Sequence, residues 1–204
     1  MPRAAVKAVL WDIGNVIVRW DPRTLYAKFF KEPAQCDRFL SHVCTMAWHT
    51  AHDRGVTFAD NRAPLLEQFP EYAEAIHVWE TRWWDMFSGP IAETESAIEA
   101  LHEAGVPQYG VTNMSHETFP GTIAMSPAFA RLKAYVVSAH DGVMKPDPAF
   151  YALACERFGL KPAGVLFVDD SEKNILAARA FGFDAHHFTD PSALRPALEA
   201  RGLL

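Results

Sequence analysis

Two short apolar runs, each followed at once by a carboxylate, dominate the pattern of hydrophobic positions in this chain. The first covers residues 5–11 and is followed by Asp12; the second covers residues 164–168 and is followed by Asp169 and Asp170. Near-continuous aliphatic runs of this length are typical of strands buried in a parallel sheet. In open α/β sheets, ligands bind just beyond the carboxyl ends of such strands. We therefore expect the three carboxylates to meet at one edge of a sheet.

The remaining pattern divides the chain into a helical stretch and an alternating stretch. Residues 19–88 show helical spacing without a strand signal, and Asp21-Pro22 predicts a helix start, because Asp caps and Pro suits the first helical position. After residue 89 the pattern predicts, in order, a helix over 94–104, a strand over 106–112, a helix over 118–130, a strand over 134–138, a helix over 147–158 capped by Gly159, a strand over 165–169, a helix over 172–181 capped by Ser171, a strand over 182–188 and a helix over 191–201. Strand–helix alternation predicts a parallel, doubly wound sheet. The expected fold is thus α/β, with a Rossmann-like core over residues 1–18 and 89–204 and an inserted α-helical cap over residues 19–88.

Composition narrows the choice of partners and compartment. The chain has 204 residues, of which 50% are hydrophobic, enough for one well-cored domain with a small insertion. A net charge of −6 without a Lys/Arg run argues against a nucleic-acid partner. Three cysteines without a CxxC pair fit reduced, buried thiols. We found no signal peptide and no membrane-spanning run, so we expect a cytoplasmic protein without a membrane partner.

The carboxylates at the strand ends indicate a metal site and a nucleophile. Like charges held close together repel unless a cation or a proton lies between them, and oxygen ligands favour a hard cation such as Mg²⁺. A carboxylate at position 12 can attack an electrophile, and Gly14 allows the backbone to approach a ligand closely. An Asp before a Gly-Asn turn is also an ordinary turn residue, so this position alone does not decide the chemistry.

Three further residues have side chains suited to an anionic ligand. Thr112 and Asn113 follow a predicted strand and can donate hydrogen bonds to a phosphoryl oxygen, although an Asx turn explains them equally well. Lys145 precedes Pro146 in a loop at a helix start, where its ammonium group can neutralise Asp12 and an incoming anion, or be solvated.

Together these residues resemble the four motifs of the haloacid dehalogenase-like hydrolase superfamily. Asp12 matches the nucleophile, Thr112 the hydroxyl at the second strand end, and Lys145 the lysine that balances charge. Asp169-Asp170 matches the acidic metal motif, and the helical insertion is similar to the small cap of subgroup I. The sequence Asp-Ile-Gly-Asn-Val-Ile, which begins at residue 12, looks closest to the first motif of the sugar-phosphate phosphatases of this group.

The resemblance implies a Mg²⁺-dependent phosphatase that hydrolyses a small phosphorylated metabolite, such as a sugar phosphate, through an aspartyl phosphate. Its implied site residues are Asp12, Thr112 and Lys145 for catalysis, Thr112, Asn113, Lys145 and Arg54 for the phosphorylated substrate, and Asp12, the Gly14 carbonyl, Asp169 and Asp170 for Mg²⁺. Arg54 lies between two predicted cap helices, where it either binds a substrate oxygen or ends a helix. Trp79, Trp83 and Trp84 are expected in one cap helix, mainly as core.

One position departs from the phosphatase pattern. Phosphatases of the superfamily carry a second Asp, the general acid–base, where this chain has Gly14. Either the enzyme relies on good leaving groups, or another side chain supplies the proton, or the reaction is not phosphoryl transfer. The candidates for that side chain are Asp21, His49, His116 and His140.

The family's dehalogenases also lack the second Asp, so 2-haloacid dehalogenation is the main alternative function. In that reaction Asp12 attacks carbon and no metal is needed, which leaves Asp169-Asp170 without a purpose and favours the phosphatase. A non-catalytic binding module with this fold is the third alternative.

Overall fold

Five parallel strands form the central sheet of this computed structural model, which describes residues 5–204. In chain order the strands are β1 (Ala8–Trp11), β2 (Val18–Trp20), β3 (Phe87–Pro90), β4 (Gln108–Thr112), β5 (Tyr135–Val137), β6 (Val165–Asp169) and β7 (Asp184–His187). The central sheet has the order β5-β4-β1-β6-β7, and each neighbouring pair is parallel. This is the order of a doubly wound sheet, so the expected Rossmann-like α/β class is confirmed.

Helices cover both faces of this sheet and fill the segment between β2 and β3. They are α1 (Pro22–Phe29), α2 (Pro33–His42), α3 (Met46–Asp53), α4 (Phe58–Gln68), α5 (Ala73–Thr81), α6 (Ala92–Glu103), α7 (Phe119–Thr122), α8 (Ser138–Asp141), α9 (Pro148–Phe158), α10 (Glu172–Phe181) and α11 (Leu194–Glu199). None of the helices among the described residues combines the length and the apolar character that crossing a bilayer requires.

Alternate residues of β1 belong to two hydrophobic cores on opposite faces of the sheet. Val9 and Trp11 pack in one core with α6 and α11, whereas Leu10 packs in the other with α9 and α10. All of them are completely buried. Burial of such a side chain contributes about 1.5–3 kcal/mol, so β1 is held firmly from both faces. The position of its carboxyl end, where Asp12 lies, is fixed accordingly.

Helices α1–α5 enclose a third hydrophobic core of their own, which is rich in aromatic rings. Tyr26, Phe39 and Trp79 are buried at its centre, with the Tyr26 ring 4.7 Å from that of Phe39 and 5.9 Å from that of Trp79. The predicted start of α1 is confirmed, because the Asp21 side chain accepts a hydrogen bond from Arg23 N and Pro22 occupies the first helical position. We call residues 22–86 the helical segment.

The expectation of an uninterrupted helical stretch over residues 19–88 was wrong at both ends. Strands β2 and β3 pair antiparallel there and connect the helical segment to the sheet. Their three and four residues are too few for a clear alternation of apolar and polar positions, and Gly89-Pro90 suggested a break. Arg19 and Trp20, just before the helical segment, therefore lie in a short two-stranded sheet.

Two other elements differ from the expectation, whereas α10 has the predicted bounds, residues 172–181. The helix predicted over 118–130 is only α7 followed by a 3₁₀ turn at Pro127–Arg131, because Pro120 and Gly121 oppose a long helix. Trp83 and Trp84 lie in a 3₁₀ turn after α5 rather than in the helix of Trp79. Ser171 occupies the N-cap position of α10, but its hydroxyl makes no capping hydrogen bond.

Candidate active site

The carboxyl ends of β1, β4 and β6 bring together the chemistry-bearing residues that the sequence separates. Asp12 follows β1, and its backbone N–H donates to Val168 O of β6 at 2.9 Å. One carboxylate oxygen each of Asp12, Asp169 and Asp170 lies within 4.8 Å of the others. Asp12 is 7% exposed and Asp169 completely buried, so this acidic trio is largely removed from water.

The Lys145 ammonium group lies between two members of the trio. Its Nζ donates to Asp12 Oδ1 at 2.9 Å, to Asp169 Oδ2 at 2.7 Å and to the Val111 carbonyl oxygen at 3.3 Å. Burial alone would lower the pKa of Lys145, but Asp12 and Asp169 raise it above its usual value. The lysine is therefore a permanent cation with all three donors engaged, and it orients Asp12.

Asp169 is held by more hydrogen bonds than either neighbouring carboxylate. Besides Lys145, the backbone N–H of Ser171 donates to its Oδ1 at 2.8 Å, and Asn174 Nδ2 lies 2.9 and 3.1 Å from its two oxygens. A carboxylate accepts about four hydrogen bonds, so Asp169 has little capacity left. Asp170 is half-buried, and we expect it to be the closer metal ligand of the pair.

The charges of the trio are poorly balanced by the protein alone. Burial raises the pKa of Asp12, Lys145 opposes this effect, and the nearby Asp169 and Asp170 raise the pKa further. Burial and Asp169 likewise raise the pKa of Asp170, against the opposing effects of Lys145 and Asn15. One ammonium group is thus set against three carboxylates, and a divalent cation would remove the imbalance.

The donor set of the trio fits Mg²⁺. This ion takes oxygen ligands at about 2.0–2.1 Å in an octahedron, so opposite ligands are about 4.2 Å apart. The oxygens of Asp12, Asp169 and Asp170 need only a small inward movement from their 4.8 Å limit to meet it. Gly14, the fourth predicted ligand, lines the same cavity.

Thr112 and Asn113 lie next to Lys145 but differ in what their side chains do. Thr112 ends β4 and is 2% exposed, with its hydroxyl only 3.4 Å from the Asn113 carbonyl oxygen. Asn113 Nδ2 donates to the Lys145 carbonyl oxygen at 2.9 Å, and Asn113 Oδ1 accepts from the Lys145 backbone N–H at 2.8 Å. The amide that we predicted to bind phosphate is therefore engaged in fixing the backbone of Lys145.

A cavity of about 170 Å³ separates this sheet edge from the helical segment. Asp12, Gly14, Thr112, Asn113, Met114, Ser115, Thr118, Lys145 and Asn174 line it from the sheet side, and Trp20, Met46, His49, Asp53, Trp83 and Phe87 line the opposite side, which we call the roof. Its size is close to that of an apolar cavity of about 150 Å³ that holds one benzene molecule. The roof is mainly aromatic, with His49 and Asp53 as its ionisable side chains.

Arg54 does not line this cavity, although we predicted it to bind the substrate. It is exposed, forms the C-cap of α3 and contributes to a separate surface depression. The neighbouring Asp53 lines both this depression and the cavity. The alternative interpretation, that Arg54 ends a helix, agrees with its position.

Of the four candidates for a general acid, only His49 lines the cavity. Burial and the neighbouring His52 lower the pKa of His49 to about 3, so its imidazole is neutral at physiological pH. Asp21 lies outside the cavity as the cap of α1, and His116 and His140 do not line it either. Sequence reasoning missed Asp53, which forms part of the roof; its spacing of four residues from His49 on one helix was the available signal.

Comparisons with known proteins agree with this fold. The chain matches the model of the haloacid dehalogenase-like hydrolase family over residues 6–182. It is 31% identical over 115 residues to a sesquiterpene phosphatase of Aspergillus oryzae, covering 56% of this chain and 58% of that protein. It is 35% identical over 98 residues to an (S)-2-haloacid dehalogenase of Pseudomonas putida, covering 46% of this chain and 41% of that protein. The chain thus spans about half the length of these relatives.

Solved structures show the same fold over nearly the whole chain. A crystal structure of a dehalogenase superposes with a TM-score of 0.73 at 17% identity, covering 96% of this chain and 98% of the other. A haloacid dehalogenase-like enzyme of Bacteroides thetaiotaomicron, solved as a magnesium complex, superposes with a TM-score of 0.71 at 17% identity, covering 94% and 98%. The special likeness to sugar-phosphate phosphatases stays a prediction. The family match over residues 6–182 and the doubly wound sheet show that the chain belongs to the haloacid dehalogenase-like hydrolases.

Proposed function

We propose that this protein is a Mg²⁺-dependent phosphatase that hydrolyses a small phosphorylated metabolite through an aspartyl phosphate on Asp12. The arrangement of Asp12 supports this most directly. The Ile13 backbone N–H at 2.7 Å and Lys145 Nζ at 2.9 Å both donate to Asp12 Oδ1. The carboxylate is thereby held on the cavity floor, and Oδ2 is the oxygen expected to attack phosphorus.

The side chains around Asp12 have separate roles in a two-step hydrolysis. Lys145 keeps Asp12 oriented, and the Thr112 hydroxyl can donate to an equatorial phosphoryl oxygen. Asn174 and Lys145 together hold Asp169 at the edge of the site. Mg²⁺ bound by Asp12, Asp169, Asp170 and the Gly14 carbonyl would neutralise negative charge on the transferred phosphoryl group. Each well-placed electrostatic contact of this kind contributes about 10²–10³ in rate.

The helical segment is proposed to act as a cap that selects the leaving group. Trp20, Met46 and Trp83 give the roof a largely apolar surface, and the cavity of about 170 Å³ limits the size of what fits beneath it. We therefore expect small alcohols with an apolar body to be better leaving groups than free sugars. The phosphatase relative is named for a terpene substrate, which supports an apolar alcohol.

Dehalogenation of 2-haloacids remains a second candidate, because Gly14 provides no acid and halide departs without a proton. The Pseudomonas putida relative carries this activity in its name. In that reaction Asp12 forms an ester with carbon, and the acidic trio has no function. The close approach of Asp12, Asp169 and Asp170 favours the phosphatase over this alternative.

A substrate panel with and without Mg²⁺ tests the proposal. Phosphate monoesters of small alcohols and sugars are assayed for phosphate release, and 2-haloacids for halide release, each with Mg²⁺ or with EDTA. We expect phosphate release that EDTA abolishes and that the Asp12→Asn variant lacks. Metal-independent halide release would establish the dehalogenase instead, and no turnover in any arm would indicate a binding module.

A further inference from the structure

We propose that Asp53, on the roof of the cavity, is the general acid–base of this enzyme and replaces the acid that position 14 lacks. The proposal rests on the phosphatase function proposed above. Asp53 ends α3, and its side chain, 13% exposed, lines the cavity that Asp12 lines from below. A substrate whose phosphoryl group contacts Asp12 would place its leaving group toward this roof.

Asp53 is anchored to the catalytic floor by a bridging hydroxyl. Ser138 Oγ donates to the Asp53 carbonyl oxygen at 2.5 Å and accepts from the Met114 backbone N–H at 3.0 Å. Met114 comes two residues after Thr112, so one side chain connects the roof to the strand end that faces the substrate. Gly55 brings the chain close to α8, since a Cβ there would lie 3.3 Å from the Ala139 carbonyl oxygen. These contacts hold Asp53 in place over the cavity.

The surroundings of Asp53 favour its protonated form. Burial beside the aromatic roof raises its pKa to about 7, although the Lys145 ammonium group below counteracts the rise. A carboxyl group in an apolar site that holds its proton near neutral pH is suited to donate it to a leaving group.

His49 is placed to support the ionised form of Asp53 after the proton has left. Its Nε2 lies 3.8 Å from Asp53 Oδ1, one helical turn away, which is longer than a hydrogen bond but within a small movement of one. Its Nδ1 is buried and has no hydrogen-bond partner among residues 5–204. Because a buried N–H without an acceptor is rare, we assign the proton to Nε2, which faces Asp53.

Asp53 donates the proton that the first step requires and accepts the proton that the second step releases. In the first step the Asp12 Oδ2–phosphorus bond forms, the bond from phosphorus to the leaving oxygen breaks, and the Asp53 proton moves to that oxygen. The alcohol leaves and Asp53 becomes a carboxylate. In the second step Asp53 takes a proton from the attacking water, whose oxygen bonds to phosphorus and displaces Asp12. Phosphate is released, and Asp12 and Asp53 return to their starting states.

Comparison of two leaving groups in Asp53→Asn and the wild type tests this role. p-Nitrophenyl phosphate has a leaving group that needs no proton, whereas n-butyl phosphate must be protonated as it leaves. In rapid-quench experiments with Mg²⁺ we expect the variant to release butanol about 10²–10⁴-fold more slowly than the wild type. Its first turnover of p-nitrophenol should remain within tenfold, followed by slow hydrolysis of the aspartyl phosphate.

The pH profile gives a second readout, and a matched variant controls for the loss of one cap carboxylate. The titratable and charged groups near Asp53 are His49 and Arg54 on its own helix, Asp12 and Lys145 on the floor, His140 on α8, which packs against α3, and Asp147 beside the surface depression that Asp53 also borders. The wild-type kcat/KM for n-butyl phosphate should fall above pH 7, and this fall should be absent in Asp53→Asn but retained in His140→Gln. Glu67→Gln, which changes an exposed carboxylate of α4, should match the wild type with both esters.

The outcomes separate this proposal from the proposed function. Suppose that the wild type hydrolyses both esters, and that Asp53→Asn slows the first turnover of neither ester or of both equally. Asp53 is then not the general acid, but the phosphatase function stands. If the wild type hydrolyses neither ester, the phosphatase function fails and the role of Asp53 fails with it. A selective loss with n-butyl phosphate, together with loss of the basic limb, supports the proposal.

Discussion

Replacing Asp53 by Asn is expected to stabilise the folded protein, by an amount that grows with pH. Burial raises the pKa of Asp53 from 3.8 to about 7 in the folded state. Between these values the unfolded chain has already released the proton that the folded chain retains. Each pH unit in this window therefore lowers the free energy of unfolding of the wild type by about 1.4 kcal/mol, which Asn, being neutral throughout, avoids. Above pH 7 the accumulated difference is about 4 kcal/mol.

Urea unfolding of both proteins at several pH values measures this difference. The free energy of unfolding of Asp53→Asn minus that of the wild type should increase by about 3 kcal/mol between pH 5 and pH 8. At pH 8 the variant should melt about 10 °C higher, at about 2–4 °C per kcal/mol for a chain of this size. Titration of His49 affects both proteins and cancels in the difference. A difference that does not change with pH would show that Asp53 is ionised in the folded state, and the reasoning would be refuted.

Three further variants test the cavity floor. Lys145→Met leaves the buried carboxylates of Asp12 and Asp169 without their cation. It should lower the free energy of unfolding by about 3–5 kcal/mol, measured by urea unfolding at pH 7. An unchanged urea midpoint would contradict the ion pairs of Lys145 with these two carboxylates. Asn113→Ala removes both hydrogen bonds to the Lys145 backbone and should lower the free energy of unfolding by about 1–3 kcal/mol in the same assay. It should also lower kcat more than it changes KM. A change in KM alone would instead indicate that Asn113 binds phosphate directly. Gly14→Asp, added to Asp53→Asn, should restore part of the n-butyl phosphate activity, because a Cβ at position 14 meets no atom of the described residues within 4 Å; failure to fold would show as a lost thermal transition.

The carboxylates at the sheet edge were predicted well from the sequence, because each strand is recognised from its own short run of residues. A buried strand requires a continuous apolar run, and the carboxyl ends of parallel strands share one edge, so Asp12 and Asp169 were bound to approach each other once their strands were recognised. The same reasoning failed for β2 and β3, whose few residues show no clear alternation and whose pairing depends on chain segments far apart in sequence.

The cap side of the cavity was harder to predict, because it depends on how one helix is oriented. The polar end of α3 carries His49, Asp53 and Arg54, and the family resemblance implied Arg54 as the residue that binds the phosphorylated substrate. Asp53 lines the cavity, whereas Arg54 is exposed as the C-cap of α3. Asn113 shows a related limit, since the side-chain amide that suits a phosphate oxygen is used by the Lys145 backbone instead.

Placing the acid on the cap changes what the cap controls. An Asp at position 14 would be present on the floor whether or not the cap lies over the site, whereas Asp53 reaches the leaving oxygen only while Ser138 connects the end of α3 to the loop after β4. Proton donation is then conditional on closure. An alcohol too large for the cavity can still place its phosphoryl group on Asp12, yet it holds the cap away and leaves without a proton. Discrimination by size should therefore appear in kcat rather than in KM, because the contact that is lost acts only in the transition state.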